Sequence, residues 1–374
     1  MPVVSIIISI VCALLIGSFL YLFLMRAFLF WSAGRFAHRL NYVRVVIAAV
    51  SLCLAACCLN LFNITALILL HIVVFALAVE LINLPIRAVA HKTKRTPEAW
   101  NKIYKCGLVP ILITALLISY GYWNIRNVKE TYYTVYTEKT LPAGGYRILL
   151  IADLHYGNAV HLEELQEYCS RMSEENADLV VLCGDLVDES TTRAELEEAF
   201  QQLGTIKSKY GVFYVFGNHD KANYRNTSDY TEEDLRSALR ENGITVLEDT
   251  AYEIDPNLTL IGRKDRSELR ESADALADGL DQEKFLLMLD HQPQEYVEAE
   301  AAGIDLLLSG HTHAGQIWPA GLLIEPLGFA DSCYGYTQIG SLQTIVTSGI
   351  SAWGYPVRTE GRSEFVVIDL LEQP

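Results

Sequence analysis

Asp305-Leu306-Leu307-Leu308-Ser309-Gly310-His311-Thr312-His313 joins an apolar run of strand length to a glycine and two histidines spaced by one residue. Four other clusters share this build: Asp153-x-His155 after Arg147–Ala152, Gly184-Asp185-Leu186-Val187-Asp188 after Leu179–Cys183, Gly217-Asn218-His219-Asp220 after Val212–Phe216, and His291 after Lys284–Leu289. Helical patterns fall between the apolar runs, at Leu162–Asn176, Arg193–Lys207, Glu232–Asn242 and Ser267–Ala277. Further strands are expected at Leu258–Ile261, Gln343–Thr347 and Glu364–Leu370. This alternation reads as an α/β domain whose helices cover the sheet. Parallel strands in such folds deliver functional groups from their carboxyl ends into one crevice. Five strand ends carrying Asp, Asn or His therefore predict a shared site.

Ahead of that domain the composition changes. Residues 1–130 carry 12 Lys/Arg against 3 Asp/Glu, and the remainder carries 17 against 42, which together give the net −16. An acidic domain is a poor match for a nucleic-acid polymer, whose affinity rests on basic charge. Four segments, about Val4–Met25, Tyr42–Leu59, Ile64–Leu84 and Gly107–Trp123, approach the ~20 apolar residues that a helix needs to cross a bilayer. Asn60–Asn63 reads as a tight hairpin between the second and third. The first segment lacks a basic leader, so a retained anchor is expected and not a cleaved signal peptide. Basic residues cluster at Arg26–Arg44 and Arg87–Lys105, with none in the hairpin. The positive-inside rule puts both basic loops in the cytoplasm and the acidic domain outside it. The expected organisation is thus a four-helix transmembrane region over 1–124, a linker and opening strand over 125–146 containing Thr131–Thr137, and a catalytic domain over 147–374.

The donor types constrain the chemistry. Asp153, His155, Asp185, Asn218, His291, His311 and His313 offer carboxylate, amide and imidazole donors with no thiolate. Such a set suits two divalent ions of the Mn, Fe or Zn kind and not a structural cysteine-zinc site. The eight cysteines show no C-x-x-C pair or disulfide framework, and Cys183, inside its strand, reads as a small buried hydrophobe. Asp185 follows a glycine and can bridge two cations. Two metals roughly 3.5–4 Å apart hold a hydroxide between them and clamp a phosphoryl group for in-line attack. His219 is left over to stabilise charge or protonate a leaving oxygen, and Asp188 is the carboxylate expected to orient it.

The ordered set Asp153-x-His155, Gly184-Asp185-x-x-Asp188, Gly217-Asn218-His219-Asp220, His291, Gly310-His311-x-His313 resembles the calcineurin-like metallophosphoesterase superfamily. Gln316 and Pro356-x-Arg358 followed by Glu364 resemble its membrane-anchored bacterial branch. The resemblance covers about residues 130–374 and implies a four-layer α/β/β/α sandwich. It implies one metal on Asp153, His155, Asp185 and His313, and a second on Asp185, Asn218, His291 and His311. It further implies His219 as catalytic histidine and Asp188 as its partner. Ala314 departs from the branch, where many relatives carry glycine, and concerns only the local loop shape.

The expected function is a membrane-anchored phosphoesterase acting on phosphodiesters or phosphomonoesters, lipid-linked ones included. The competing readings are a tethered hydrolase of small nucleotides or phosphodiesters, and a membrane sensor whose phosphoesterase fold has lost turnover. Several residues have blander readings. His161, before an acidic helix, reads as a surface or capping residue and not a ligand. Asp290 is either a support for His291 or a plain loop carboxylate. His71 and Glu80 lie within the apolar segments, and Glu80 sits near a helix end from which its head can reach the interface. Trp318 and Leu322–Phe329, with Tyr334, Tyr336, Trp353 and Tyr355 beyond, read as loop packing over a sheet edge. Their sharper reading is an apolar rim facing a bilayer.

Overall fold

The computed structural model describes residues 3–60, 63–95, 97–224 and 227–373, which divide into two compact units, Met1–Tyr120 and Gly121–Pro374. The first holds helices α1 (Val3–Ser32), α2 (Leu40–Cys57), α3 (Ile64–Thr93) and α4 (Glu98–Cys106), and most of α5 (Leu108–Ile125). Among the described residues, four helical segments are long and apolar enough to cross a membrane: Ile7–Ser32, Ala37–Cys57, Ile64–Thr93 and Leu108–Ile125. Their outward faces keep large side chains such as Leu15, Leu22 and Leu116 exposed, as lipid-facing helices require. A Cβ on Gly17 would lie only 3.3 Å from Ala55 Cβ, so small residues let α1 and α2 approach closely.

The helices α1 and α3 run past the apolar segments read from the sequence, α1 through the apolar Ala27–Trp31 and α3 through a basic end containing Arg87, His91 and Lys92. Glu80 does not simply reach the interface. It is ion-paired with Arg26 and accepts a hydrogen bond from Tyr104 Oη at 2.8 Å. His71 is buried, with Nδ1 2.8 Å from the carbonyl of Leu67. Asn63 caps α3, accepting from the Thr65 amide; Leu61 and Phe62 of the expected hairpin lie outside the described residues.

The second unit is built on two six-stranded sheets. The first has the order β1-β12-β2-β3-β4-β5, from β1 (Lys129–Thr137), β2 (Tyr146–Ile151), β3 (Leu179–Cys183), β4 (Val212–Val215), β5 (Ile244–Val246) and β12 (Glu364–Glu372). The second has the order β10-β11-β9-β8-β7-β6, from β6 (Thr250–Asp255), β7 (Leu258–Gly262), β8 (Phe285–Leu289), β9 (Leu306–Ser309), β10 (Gly335–Ile339) and β11 (Leu342–Val346). The pairings β2–β3–β4 and β7–β8–β9–β11 are parallel.

Side-chain alternation explains the layers. Ile148 and Leu150 of β2 point between the sheets, where they meet Phe285, Leu287 and Leu289 of β8. Leu149 and Ile151 point the other way, onto α6 (Leu162–Glu174), α7 (Arg193–Leu203) and α8 (Glu232–Glu241). Leu286 and Met288 of β8 face α9 (Ala273–Ala277) and α10 (Tyr296–Ala301). Both faces of the central strands are therefore buried, which is why they are continuously apolar. The result is the expected α/β/β/α sandwich.

Two local expectations shift. The helix expected from Ser267 begins only at Ala273, because Asp265 accepts from the Ser267 amide (2.8 Å) and Asp249 from the Glu271 amide (3.1 Å). Side-chain acceptors here compete with helical bonds. β5, β6 and β10 were not legible as strands, being short or lying at sheet edges where half-exposed polar residues give no apolar run.

Candidate metal centre

The loops following β2, β3, β4, β8 and β9 zip together at one end of the sandwich. Asp153 and His155 amides donate to the carbonyls of Gly184 and Asp185 at 3.0 and 3.1 Å, and Gly310 donates to His291 at 3.0 Å. Glycine is required at the crossing points. A Cβ on Gly184 (φ 80°) would lie 2.6 Å from both Gly217 N and His291 Nδ1, and one on Gly310 would lie 2.6 Å from Asp153 Oδ2. Asp220 locks the turn: fully buried, it accepts from the amides of Asp185 (2.8 Å), Leu186 (2.9 Å) and Gly217 (2.6 Å).

This closure brings together Asp153, His155 and His313 as one group, and Asp185, His291 and His311 as another; in each group the ligand atoms lie within 4.8 Å of one another. Asp185 sits between the groups, with Oδ2 3.2 Å from His291 Nε2 and 3.8 Å from His155 Nε2. Asn218 stands beside them, its Nδ2 3.4 Å from Tyr224 Oη.

Three features fit this donor set to divalent cations. Among buried polar atoms without a hydrogen-bond partner are His155 Nε2, Asn218 Oδ1, His291 Nε2 and His313 Nδ1. Leaving such atoms unmatched costs about 1–3 kcal/mol each, so a cation is the natural counterpart of these lone pairs. His291 Nδ1 lies 2.7 Å from the Cys183 carbonyl, a contact that makes Nδ1 the protonated nitrogen and leaves Nε2 free to ligate. Finally, Asp153, His155, Asp185, His311 and His313 all hold positive φ, between 41° and 71°. Left-handed backbone at non-glycine residues costs about 1–3 kcal/mol each, persists where the surrounding structure over-determines it, and clusters at functional sites. Ala314, with φ 49°, takes the same conformation, which is the one a glycine there would adopt without penalty.

Burial and neighbouring charges move these groups in different directions: against desolvation, Asp185 carries His291 well above its ordinary value. Burial pushes the Asp153 carboxyl up to about 6, against the pull of nearby His291. Burial, reinforced by His291, lowers the His311 imidazole to about 4, so it remains a neutral donor.

His219 lies beside the groups, its ring 5.6 Å from that of His155 and flanked by Tyr224 (4.9 Å) and Trp353 (5.1 Å). Its expected partner is corrected. Asp188 turns instead toward His155, with Oδ2 3.2 Å from Nδ1, and is held by the Ser190 amide at 2.7 Å. Glu189, one residue on, meets His219 Nδ1 with both carboxylate oxygens, at 3.0 and 3.1 Å. Spacing alone does not distinguish two adjacent carboxylates, and the motif that contains Asp220 gives no sign of its locking role. Asp290 is not a plain loop carboxylate: fully buried, it pairs with Arg263 (3.2 Å) and Arg270 (3.0 Å) and so braces the residue before His291. His161 does occupy the N-cap of α6, its amide donating to Glu164.

Arg358 ties the last motif in place. Completely buried, it donates to the carbonyls of His313 (2.7 Å), Ser348 (2.8 Å) and Ser351. Gln316 joins the same segment, donating to the Trp353 carbonyl at 2.9 Å and accepting from its amide at 3.0 Å.

The fold is thus an α/β/β/α sandwich with two adjoining carboxylate–imidazole groups at its strand ends. The calcineurin-like phosphoesterase family model matches residues 146–315. A Bacillus subtilis protein described as the uncharacterized metallophosphoesterase YkoQ is 32% identical over 209 residues, covering 52% of this chain and 72% of that protein. The chain belongs to the metallophosphoesterase family. It is also 31% identical over 233 residues to an uncharacterized metallophosphoesterase of Helicobacter pylori, with 60% of each chain covered. With a Danio rerio transmembrane protein with metallophosphoesterase domain it shares 31% identity over 287 residues, covering 70% of this chain and 62% of that one. The matches thus span about 60% of the length of the Helicobacter and Danio relatives.

Proposed function

We propose that this protein is a membrane-anchored phosphoesterase that hydrolyses phosphate esters at a centre of two divalent ions of the Mn, Fe or Zn kind. In this reading residues 1–124 are the anchor, 125–146 the linker and opening strand, and 147–374 the catalytic domain. The observation that carries it is the pair of adjoining groups Asp153–His155–His313 and Asp185–His291–His311, with unmatched buried donor atoms facing one another. Asp153, His155, Asp185 and His313 hold one ion; Asp185, Asn218, His291 and His311 hold the other. Bound there, the ions supply Lewis acidity toward phosphoryl oxygens and lower the pKa of water into the neutral range. Glu189 meets His219 at Nδ1 and favours its imidazolium form, which carries a second proton at Nε2 for the leaving oxygen. Asp188 acts through His155, fixing the orientation of that ring.

Elemental analysis and turnover of the purified full-length protein test the assignment together. Asp185→Asn is expected to lose both ions. His219→Ala is expected to retain both while losing roughly 10²–10⁴-fold in turnover of a poor leaving group. Fewer than two ions per wild-type chain with Mn or Zn added, or metal loss in His219→Ala, overturns these roles. The rings of Tyr224 and Trp353 beside His219 favour a second reading, a tethered hydrolase of small phosphodiesters with a flat aromatic moiety. Preference for a nucleotide diester over a phospholipid supports it.

A further inference from the structure

Trp318, Leu322, Leu323, Leu327 and Phe329 are 45%, 66%, 51%, 60% and 65% exposed, so the packing reading of this loop does not hold. All five lie within one apolar run of sequence, residues 318–329, that includes α11 (Gly321–Ile324). Glu325 is its sole ionisable group, and its carboxylate accepts from the Cys333 amide at 2.7 Å. A concentrated patch of this kind marks a contact surface, whereas scattered exposed leucines do not.

The residues around it indicate what covers it. The segment 358–361 is tied to the end of α5: Arg358 N donates to the Gly121 carbonyl at 3.0 Å, and Asn124 Nδ2 donates to the carbonyls of Arg358 and Gly361, each at 3.0 Å. The fit is close, since a Cβ on Gly121 would lie 2.8 Å from Thr359 Cγ2. The same segment holds the apolar loop, because Thr359 Oγ1 accepts from Trp318 N (3.0 Å) and Glu360 Oε2 from Gly321 N (2.8 Å). It also holds the ligand loop, through Arg358 and the His313 carbonyl. Gly121 and Asn124 belong to the last turns of the fourth candidate span. Tyr122 and Trp123 beside them are 54% and 58% exposed, as aromatic residues at a membrane–water boundary are. One short segment therefore connects a membrane exit, an exposed apolar loop and the metal centre.

We propose that the 318–329 loop is seated in the phospholipid bilayer at the exit of the fourth span, so that the metal centre takes amphiphilic phosphate esters from the headgroup layer. This substrate class rests on the phosphoesterase reading; the surface itself does not. Interfacial segments of this kind bury their apolar face about 5–10 Å below the headgroups.

The full chain is reconstituted at one copy per nanodisc in palmitoyl-oleoyl phosphatidylcholine, and labelling by a charged, membrane-impermeant maleimide is followed site by site with peptide mass spectrometry. Leu323→Cys and Phe329→Cys are expected to react at least ~10-fold more slowly than Leu269→Cys, a 97% exposed position elsewhere in the unit, since a side chain at that depth is withdrawn from water. Equal rates overturn the proposal. Protection found only in discs holding two copies also overturns it, in favour of a self-contact. In the same discs, joint replacement of Leu322, Leu323, Leu327 and Phe329 by Ser is expected to raise KM several-fold for a fluorogenic phospholipid and leave a soluble chromogenic diester unchanged. An equal effect on both substrates overturns the substrate class. Turnover of neither by the wild type defeats the phosphoesterase reading instead, and the labelling rates still decide the surface.

Discussion

Glu189 makes His219 a stronger base than its burial would allow. Desolvation pulls the imidazole down, but the hydrogen bond to Glu189, with the charges of Asp185 and Glu189, carries it above its ordinary value. A general acid must be protonated, so its contribution is lost as pH rises through that raised value. Glu189→Gln removes the principal raising partner and lowers the pKa of His219. The alkaline limb of kcat is therefore expected to move to lower pH, most visibly with poor leaving groups, while metal content stays at the wild-type level. Asp188→Asn is expected to behave differently, because Asp188 faces His155: metal affinity falls by roughly 10–100-fold, the usual loss for a group that orients a ligand. An Asp188→Asn variant with normal metal affinity and a shifted pH profile reverses the two assignments.

At the scale of elements, precision in the site depends on strands that cannot move. Leu287 of β8 is wholly buried between the sheets, and its strand leads directly to Asp290 and His291. Leu287→Ala is expected to cost about 2–5 kcal/mol, the range for a buried leucine whose surroundings relax only partly. For a unit of this size each kcal/mol lowers Tm by about 2–4 °C, so thermal denaturation in detergent should show a drop of roughly 4–20 °C. A change within about 1 °C, less than a single kcal/mol, means that the two sheets do not share this core. The helices tolerate more, since α7 and α8 present charged outer faces and are capped by Thr192 and Thr231, whose hydroxyls each accept a backbone N–H.

For the molecule as a whole, the distribution of charge predicts orientation. Arg26–Arg44 and Arg87–Lys105 flank a stretch without basic residues, and from the positive-inside rule we propose that both basic loops are cytoplasmic and the acidic unit lies beyond the membrane. Protease added to intact cells, or to protoplasts where a wall intervenes, should release the acidic unit. A unit protected until the membrane is broken reverses the orientation. Arg26 belongs partly to this argument and partly to packing, since its guanidinium is ion-paired with Glu80 and lies 3.9 Å from the Tyr104 ring centroid. A cation neutralised within the helices contributes less to topology than a free one, and the loop arginines carry the bias.

The sequence by itself determined the α/β alternation and the strand ends that carry the seven proposed ligands, while the four layers were implied by the family resemblance. A strand buried on both faces must be apolar throughout, and the polar residues following such runs had to lie at its carboxyl end. It also determined the four candidate spans, because a helix long and apolar enough to cross a bilayer is set by local sequence. Tertiary structure alone decided which carboxylate serves which histidine. Asp188 and Glu189 are neighbours of like charge, and only the turn locked by Asp220 directs one to His155 and the other to His219. It likewise decided that Leu322–Phe329 is exposed. An apolar stretch looks the same in sequence whether it is packed or solvent-facing, and here the ties of Trp318 and Gly321 to residues 359–360 hold it clear of the core.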